Sequence, residues 1–322
     1  MKRIPLIQFG KLIVFLTIFF FTTQFSFAAP TSLLFHGTGE GDVDRLKIVV
    51  AYPTKPVDVG EDFTIEWWMK ASINNNQGEC VDELDDGWSY GNILFDREIF
   101  GNGAFGSYGI ALGSGRISFG VHNGTWGKTV CGSTYVADNQ WHHIAVTREM
   151  DSGTMKIFVD GELDTTGIGP SGNVSYNYGG GEGGTGQFYL VVGAEKYDLD
   201  SELFPPYSGR IDEIRFSGVI RYDSNFLPQT EPFETDEDTL ALFHLDEGTG
   251  TSVNDTSGAL GGPSPGAIQV GGSPEGPEWS SDSPFDISTI DSSTGGSSSG
   301  SGGGSGGSGG GSGGSSSSGG TT

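Results

Sequence analysis

Positive charge is scarce in this chain. Its 322 residues hold 16 lysines and arginines against 41 aspartates and glutamates, a formal charge of -25. Nucleic acid and anionic membrane both demand a basic surface, so neither is expected as a partner. Cysteine is almost missing, with only Cys80 and Cys131. A structural zinc site wants four Cys or His ligands at short spacing and fails on that count. No G-x-S-x-G occurs, and the five histidines accompany no recognisable Ser or Cys nucleophile signature. The Gly-rich GGGEGGTG has neither the lysine nor the helix of a phosphate loop. Long 3.6-residue periodicity is absent too, which removes the helices that a parallel α/β sheet needs between its strands.

Long apolar runs are also few. The most apolar stretch, residues 12–21, carries Thr17 and follows Lys2, Arg3 and Lys11, with small residues at Ser26 and Ala28. Ten residues of helix cover about 15 Å, half of a hydrocarbon core of about 30 Å. The pattern is that of a signal peptide over residues 1–28, with an uncleaved anchor as the alternative. Removing it takes away three basic residues and no acidic one, so the charge deepens to -28. In an oxidising compartment two cysteines most simply form one disulfide, closing a loop of about fifty residues worth about 3 to 4 kcal/mol. At the other end, residues 287–322 are almost wholly Gly, Ser and Thr, with no apolar residue after Ile290. Such a tract buries nothing and behaves as a flexible coil. It is either a spacer to a further module or sorting segment, or a terminal tail.

What lies between reads as strands. Phe63, Ile65, Trp67 and Met69 alternate with Thr64, Glu66, Trp68 and Lys70, and Ile117, Phe119 and Val121 alternate with Ser118, Gly120 and His122. Similar runs are NILFDREI, YGIALG, WHHIAVTR, MKIFVDG, FYLVVGAE, GRIDEIRFSG and TLALFHLDE. Asp160-Gly161 marks a hairpin turn. The expectation is an all-β, antiparallel two-sheet sandwich over residues 29–286. In WHHIAVTR the adjacent His142 and His143 point to opposite faces, which disfavours one shared metal and suits hydrogen-bonded scaffold residues.

NQWHHIAVTRE followed by KIFVDGEL resembles the core hairpin of laminin G-like jelly rolls, within the concanavalin A-like lectin and glucanase superfamily. EDFTIEWWMKA, NILFDRE, YGIALGSGRISFGV, YLVVGAEK and YSGRIDEIRFSGVIRY follow in the order such domains use, and LALFHLDEGTGTSVNDTSG with GSPEGPEWSSDSPF resembles segments beside them in bacterial surface proteins. The resemblance implies a jelly roll in which the WHH element is scaffold.

It also brings a catalytic and a calcium site into question, and the loops themselves suggest a third. Laminarinase-like members carry alternate carboxylates on one strand. Asp198, Asp200 and Glu202 have that spacing, but two prolines follow and the segment reads as an acidic loop, so no catalytic residue is assigned. Related jelly rolls tie the start of the chain to the last core strand through calcium. The matching elements are Asp212 and the turn holding Gly37, Glu40 and Asp42, where Gly39 and Gly41 let carbonyls converge. The competing reading pairs Asp212 with Arg45 or Arg210. For a ligand, two loops stapled by Cys80 and Cys131 offer Asp85, Asp86, Trp88, Asn123 and Trp126. A secreted or surface module binding glycan or glycoprotein is expected, against a glucanase-branch enzyme or a structural spacer.

Overall fold

The computed structural model describes residues 30–50, 54–98, 106–176 and 189–285. The expected leader, the GGGEGGTG segment and the tail from residue 287 lie outside them. In chain order the strands are β1 (Ser32–His36), β2 (Arg45–Val49), β3 (Phe63–Ser72), β4 (Asn92–Asp96), β5 (Ser107–Gly113), β6 (Arg116–His122), β7 (Gly127–Cys131) and β8 (Asp138–Arg148). They continue with β9 (Thr154–Val159), β10 (Glu162–Ile168), β11 (Tyr189–Val192), β12 (Ser208–Ser217), β13 (Thr239–Phe243), β14 (Ser252–Val253), β15 (Gly266–Gln269) and β16 (Glu278–Ser280). Helical structure among the described residues is confined to 3-10 turns at Ile73–Asn75 and Gly87–Tyr90. No helix among them is long and apolar enough to cross a membrane.

Two antiparallel sheets result, as the alternation demanded. The first runs β10-β9-β8-β3-β12-β1-β16, with β13 also on β12, and the second runs β14-β15-β2-β11-β4-β5-β6-β7. Phe63, Ile65, Trp67 and Met69 project from β3 into the space between the sheets, where all four are fully buried. The Trp67 ring meets Phe95 of the facing sheet edge-on at 4.9 Å, and Phe63 meets Phe119 at 6.3 Å. Asp160-Gly161 joins β9 to β10, and Ser114-Gly115 joins β5 to β6; both pairs have positive φ, the geometry that follows the twist of paired strands.

The other face of the first sheet is covered as well. Phe226 and Phe233 set their rings edge-on to His143 at 5.7 and 5.8 Å, while Trp68 packs on His143 and Phe285. Beneath them Glu66 is fully buried and well partnered. Arg215 donates to its carboxylate at 2.8 Å, the Tyr222 hydroxyl at 2.8 Å, and His143 Nε2 lies at 3.2 Å. Burial pushes this carboxyl up, but the His143 hydrogen bond and the Arg215 charge outweigh it and hold it below its ordinary value.

Candidate functional site

Three segments that lie far apart in sequence meet at one end of the sandwich. The 37–42 turn follows β1, the 74–91 loop follows β3, and the acidic 195–206 loop follows β11. Arg45, 1% exposed, holds the first to the third: its guanidinium donates to Glu195 O at 2.8 Å, to Asp198 Oδ1 at 3.1 Å and to Gly39 O. Gly41 N adds a bond to Asp198 Oδ1 at 2.8 Å. Two buried asparagines fix the second segment. Asn92 accepts from Gly78 N and donates to Pro206 O, both at 2.8 Å. Asn76 accepts from Ser208 N at 3.0 Å and donates to Ser208 O at 2.7 Å. Ile93 N donates to Pro205 O at 2.9 Å, so the Pro205-Pro206 segment is docked against β4.

Between these walls lies an open cleft of ≈ 800 Å³. Its lining includes Glu40, Asn74, Asn75, Gln77, Glu79 and Tyr90, with Glu202 on the far wall. The amides are exposed and Tyr90 is half-buried. Among the described residues no lysine, arginine or histidine lines it.

Cys80 and Cys131 are bonded, with Cα atoms 6.0 Å apart, and join the 74–91 loop to the end of β7. Lys128 Nζ donates to Asp82 O at 2.9 Å, and Thr129 Oγ1 donates to Asp85 O at 3.2 Å while accepting from Trp88 N at 3.1 Å. Asp85, Asp86, Asn123 and Trp126 therefore gather at one rim. Asn123 Oδ1 accepts from the amides of Thr125 and Trp126, and the Trp126 side chain is left 44% exposed. Asp86 is raised above its ordinary value, first by burial, with nearby His122 opposing and Asp85 reinforcing the shift.

Trp88 departs from the sequence expectation. At 2% exposure it offers no platform to a ligand. Its indole lies flat over Gly109 and Gly120, where an added Cβ would stand 2.2 and 2.0 Å from ring atoms. Those two mid-strand glycines admit the ring, and glycine inside a strand is the signal that marks such close approach.

The expected calcium set does not converge either. Strand register places His36 opposite Ser208 and Leu33 opposite Ile211, so Asp212 lies at the end of β1 farthest from the 37–42 turn. Four residues of strand separate Asp212 from Ser208, about 13 Å at the usual rise. Asp212 instead accepts from Ser283 Oγ at 2.7 Å and Glu213 N at 2.9 Å. Arg45 and Arg210 pair elsewhere, Arg210 with Asp282. Gly37 and Glu40 line the cleft, while Asp42 pairs with Lys47 at 2.5 Å and Arg45 at 3.5 Å.

A different acidic group does come together. Asp96, Glu98 and Glu195 present carboxylate oxygens within 4.8 Å of one another. Asp96 accepts from Glu98 N at 2.7 Å and Lys196 N at 2.8 Å, and Glu195 accepts from the amides of Tyr197 and Leu199 at 2.8 and 2.7 Å. Burial, then the charge of Glu195, pushes Asp96 up to about 6. Burial, then Asp96, Asp86 and Glu195, pushes Glu98 up to about 8. Burial draws the neighbouring Lys196 down to about 7, with Asp96 opposing. Three carboxylates against one lysine leave a surplus of negative charge, and hard oxygens in that number fit a hard cation. Sequence reading missed the cluster because Asp96 and Glu195 lie a hundred residues apart and meet only through the pairing of β4 with β11.

Residues 47–221 match a laminin G-type family model described as the concanavalin A-like lectin/glucanases superfamily. The chain belongs to that superfamily. Similar solved structures include a Bacteroides ovatus protein provisionally described as carbohydrate binding, at 15% identity and TM-score 0.46, covering 75% of this chain and 58% of that one. The Limulus polyphemus heptameric SAP-like pentraxin is 14% identical, with TM-score 0.40, 61% of this chain and 79% of that one. Domains LG4-5 of the mouse laminin alpha1 chain are 11% identical, with TM-score 0.40, 58% of this chain and 42% of theirs. This chain thus spans little more than half the length of the Bacteroides structure. No curated protein matches it.

The superfamily includes glucanases, which bring carboxylates at alternate positions into question. Asp198 has a positive φ of 58° and is tied to Arg45 and Gly41, while Asp200 accepts from Glu202 N at 3.0 Å in a tight turn. They belong to a loop, not to a strand that sets two carboxylates face to face.

Proposed function

We propose that this superfamily member is a secreted or cell-surface carbohydrate-binding module whose glycan lies in the loop-end cleft. The lining carries this reading. A sugar presents hydroxyls that both donate and accept, and the amides of Asn74, Asn75 and Gln77 offer both in one side chain. Tyr90 adds an aromatic face for a pyranose ring. Asn76 and Asn92 hold these walls in place before a ligand arrives, which lowers the ordering cost of binding. The leader-like residues 1–28 support export.

Binding is favoured over hydrolysis because Glu66 is locked in a covered face and Asp198, Asp200 and Glu202 sit in a loop. Reducing sugar released from β-glucans, and lost in Asp198→Asn or Asp200→Asn, would reverse that choice. For calcium, the donor chemistry supports Asp96, Glu98 and Glu195 rather than Asp212. A melting temperature unchanged by chelator would remove the ion from the account. The test of the main reading is a glycan array probed with the full chain, with and without calcium. Binding to a defined glycan, weakened roughly tenfold by Tyr90→Ala, is expected. A folded protein that binds nothing on the array favours protein adhesion or a spacer.

A further inference from the structure

A second, smaller pocket of ≈ 250 Å³ adjoins the cleft at Tyr90, which lines both. Its walls are apolar and aromatic: Leu84, Leu199 and Phe204 join Tyr90, whose ring lies 6.0 Å from that of Phe204. Its polar lining is Ser89 with the acidic Asp86 and Glu98, and among the described residues no basic one lines it. The volume is below the range of about 300–1,000 Å³ that whole small ligands occupy, so it suits one substituent of a ligand seated next door. Aromatic faces and a carboxylate without a cationic lining are complementary to an ammonium group.

Resting on the carbohydrate reading, we propose that the cleft selects glycans bearing free amino groups, of the glucosamine type, with the ammonium seated in the small pocket that Tyr90, Phe204 and Glu98 line. Anionic glycans are disfavoured by the same lining, since Glu40, Glu79 and Glu202 line the cleft with no compensating base among the described residues. The groups around Glu98 are Asp86, Asp96, Glu195 and Lys196. The Lys196 ammonium is already engaged, donating to Glu98 O at 2.8 Å and to the Tyr176 hydroxyl. An arriving ammonium finds Glu98 as its carboxylate partner in the pocket wall. A divalent cation drawn to the same carboxylates competes with it.

The experiment is calorimetric titration of the full chain, in chelator, with a glucosamine trisaccharide and its fully N-acetylated counterpart. Short oligomers in raised salt suppress the general pull of a polyanionic protein on any polycation. The free amine is expected to bind about tenfold tighter, and added calcium to narrow the gap. Glu98→Gln should abolish the preference while leaving the acetylated sugar bound. Leu199→Arg, at an exposed pocket wall, should do the same and guards against misfolding of the first variant. Equal affinity for the two sugars, or a preference untouched by both variants, overturns the amine pocket while leaving the carbohydrate reading intact. Failure of the folded protein to bind either sugar or any neutral glycan overturns both.

Discussion

The covered face of the first sheet and the loop end carry the same residue types in opposite states. On the covered face Glu66 is surrounded by Arg215, His143 and Tyr222, with donors directed at both carboxylate oxygens. At the loop end Asp96, Glu98 and Glu195 share one lysine, and the carboxyls of Asp96 and Glu98 are driven up rather than down. Burial acts on both sets; what differs is whether partners outweigh it. A carboxylate whose partners are all intramolecular belongs to the scaffold, and one left in surplus beside an open cleft is available to a ligand.

The largest expected effect tests the first half of that contrast. Glu66→Ala should cost about 3–5 kcal/mol, because it strands the buried Arg215 charge, and denaturant midpoints would measure it. A loss below about 1 kcal/mol, the level of a surface pair, would put Glu66 outside the scaffold. Next come the two tryptophans of the stapled loops. Trp88→Ala should lose about 3–5 kcal/mol and Trp126→Ala less than about 0.5, because one fills a glycine-lined slot and the other faces solvent. If the two melt alike, the slot is not filled as described. Smaller again, Asn92→Ala should cost about 1–3 kcal/mol by leaving Gly78 N and Pro206 O unpaired, and should weaken glycan binding through loosened walls.

The smallest effect is a pH slope. Glu98 rises from an ordinary 4.5 to about 8 in the fold, and Asp96 from 3.8 to about 6. Between these limits the unfolded chain has released protons that the folded chain retains, so stability falls as pH rises from about 5 to about 7. Above 7 the lowered Lys196 works the other way, because the unfolded lysine is protonated and the folded one is not. Glu98→Gln should flatten the fall between pH 5 and 7, read from thermal melts across that range. An unchanged slope would assign the surplus charge elsewhere.

How much of this was legible in sequence depends on range. The sandwich was visible because Phe63, Ile65, Trp67 and Met69 alternate and Asp160-Gly161 marks its own turn, both local patterns. The extent of β10 beyond its turn and the whole of β7 were not, since ELDTTGI and GKTVC hold too few apolar residues to alternate; both are edge strands. The disulfide followed from counting cysteines. The acidic cluster and the cleft needed strand pairing and loop docking across a hundred residues or more. Asp212 was misplaced for the same reason: its strand was recognised, but register decides which end of β1 it meets.

Hydrogen exchange of the full chain with and without its bound glycan sets the two regions against each other most directly. Slowed exchange in residues 74–79 and 201–206, with no change in residues 219–238 over the covered face, is the expected result. Protection over 219–238 with none at the loop end would contradict the account and move the site to the face that Glu66 and its partners hold as scaffold.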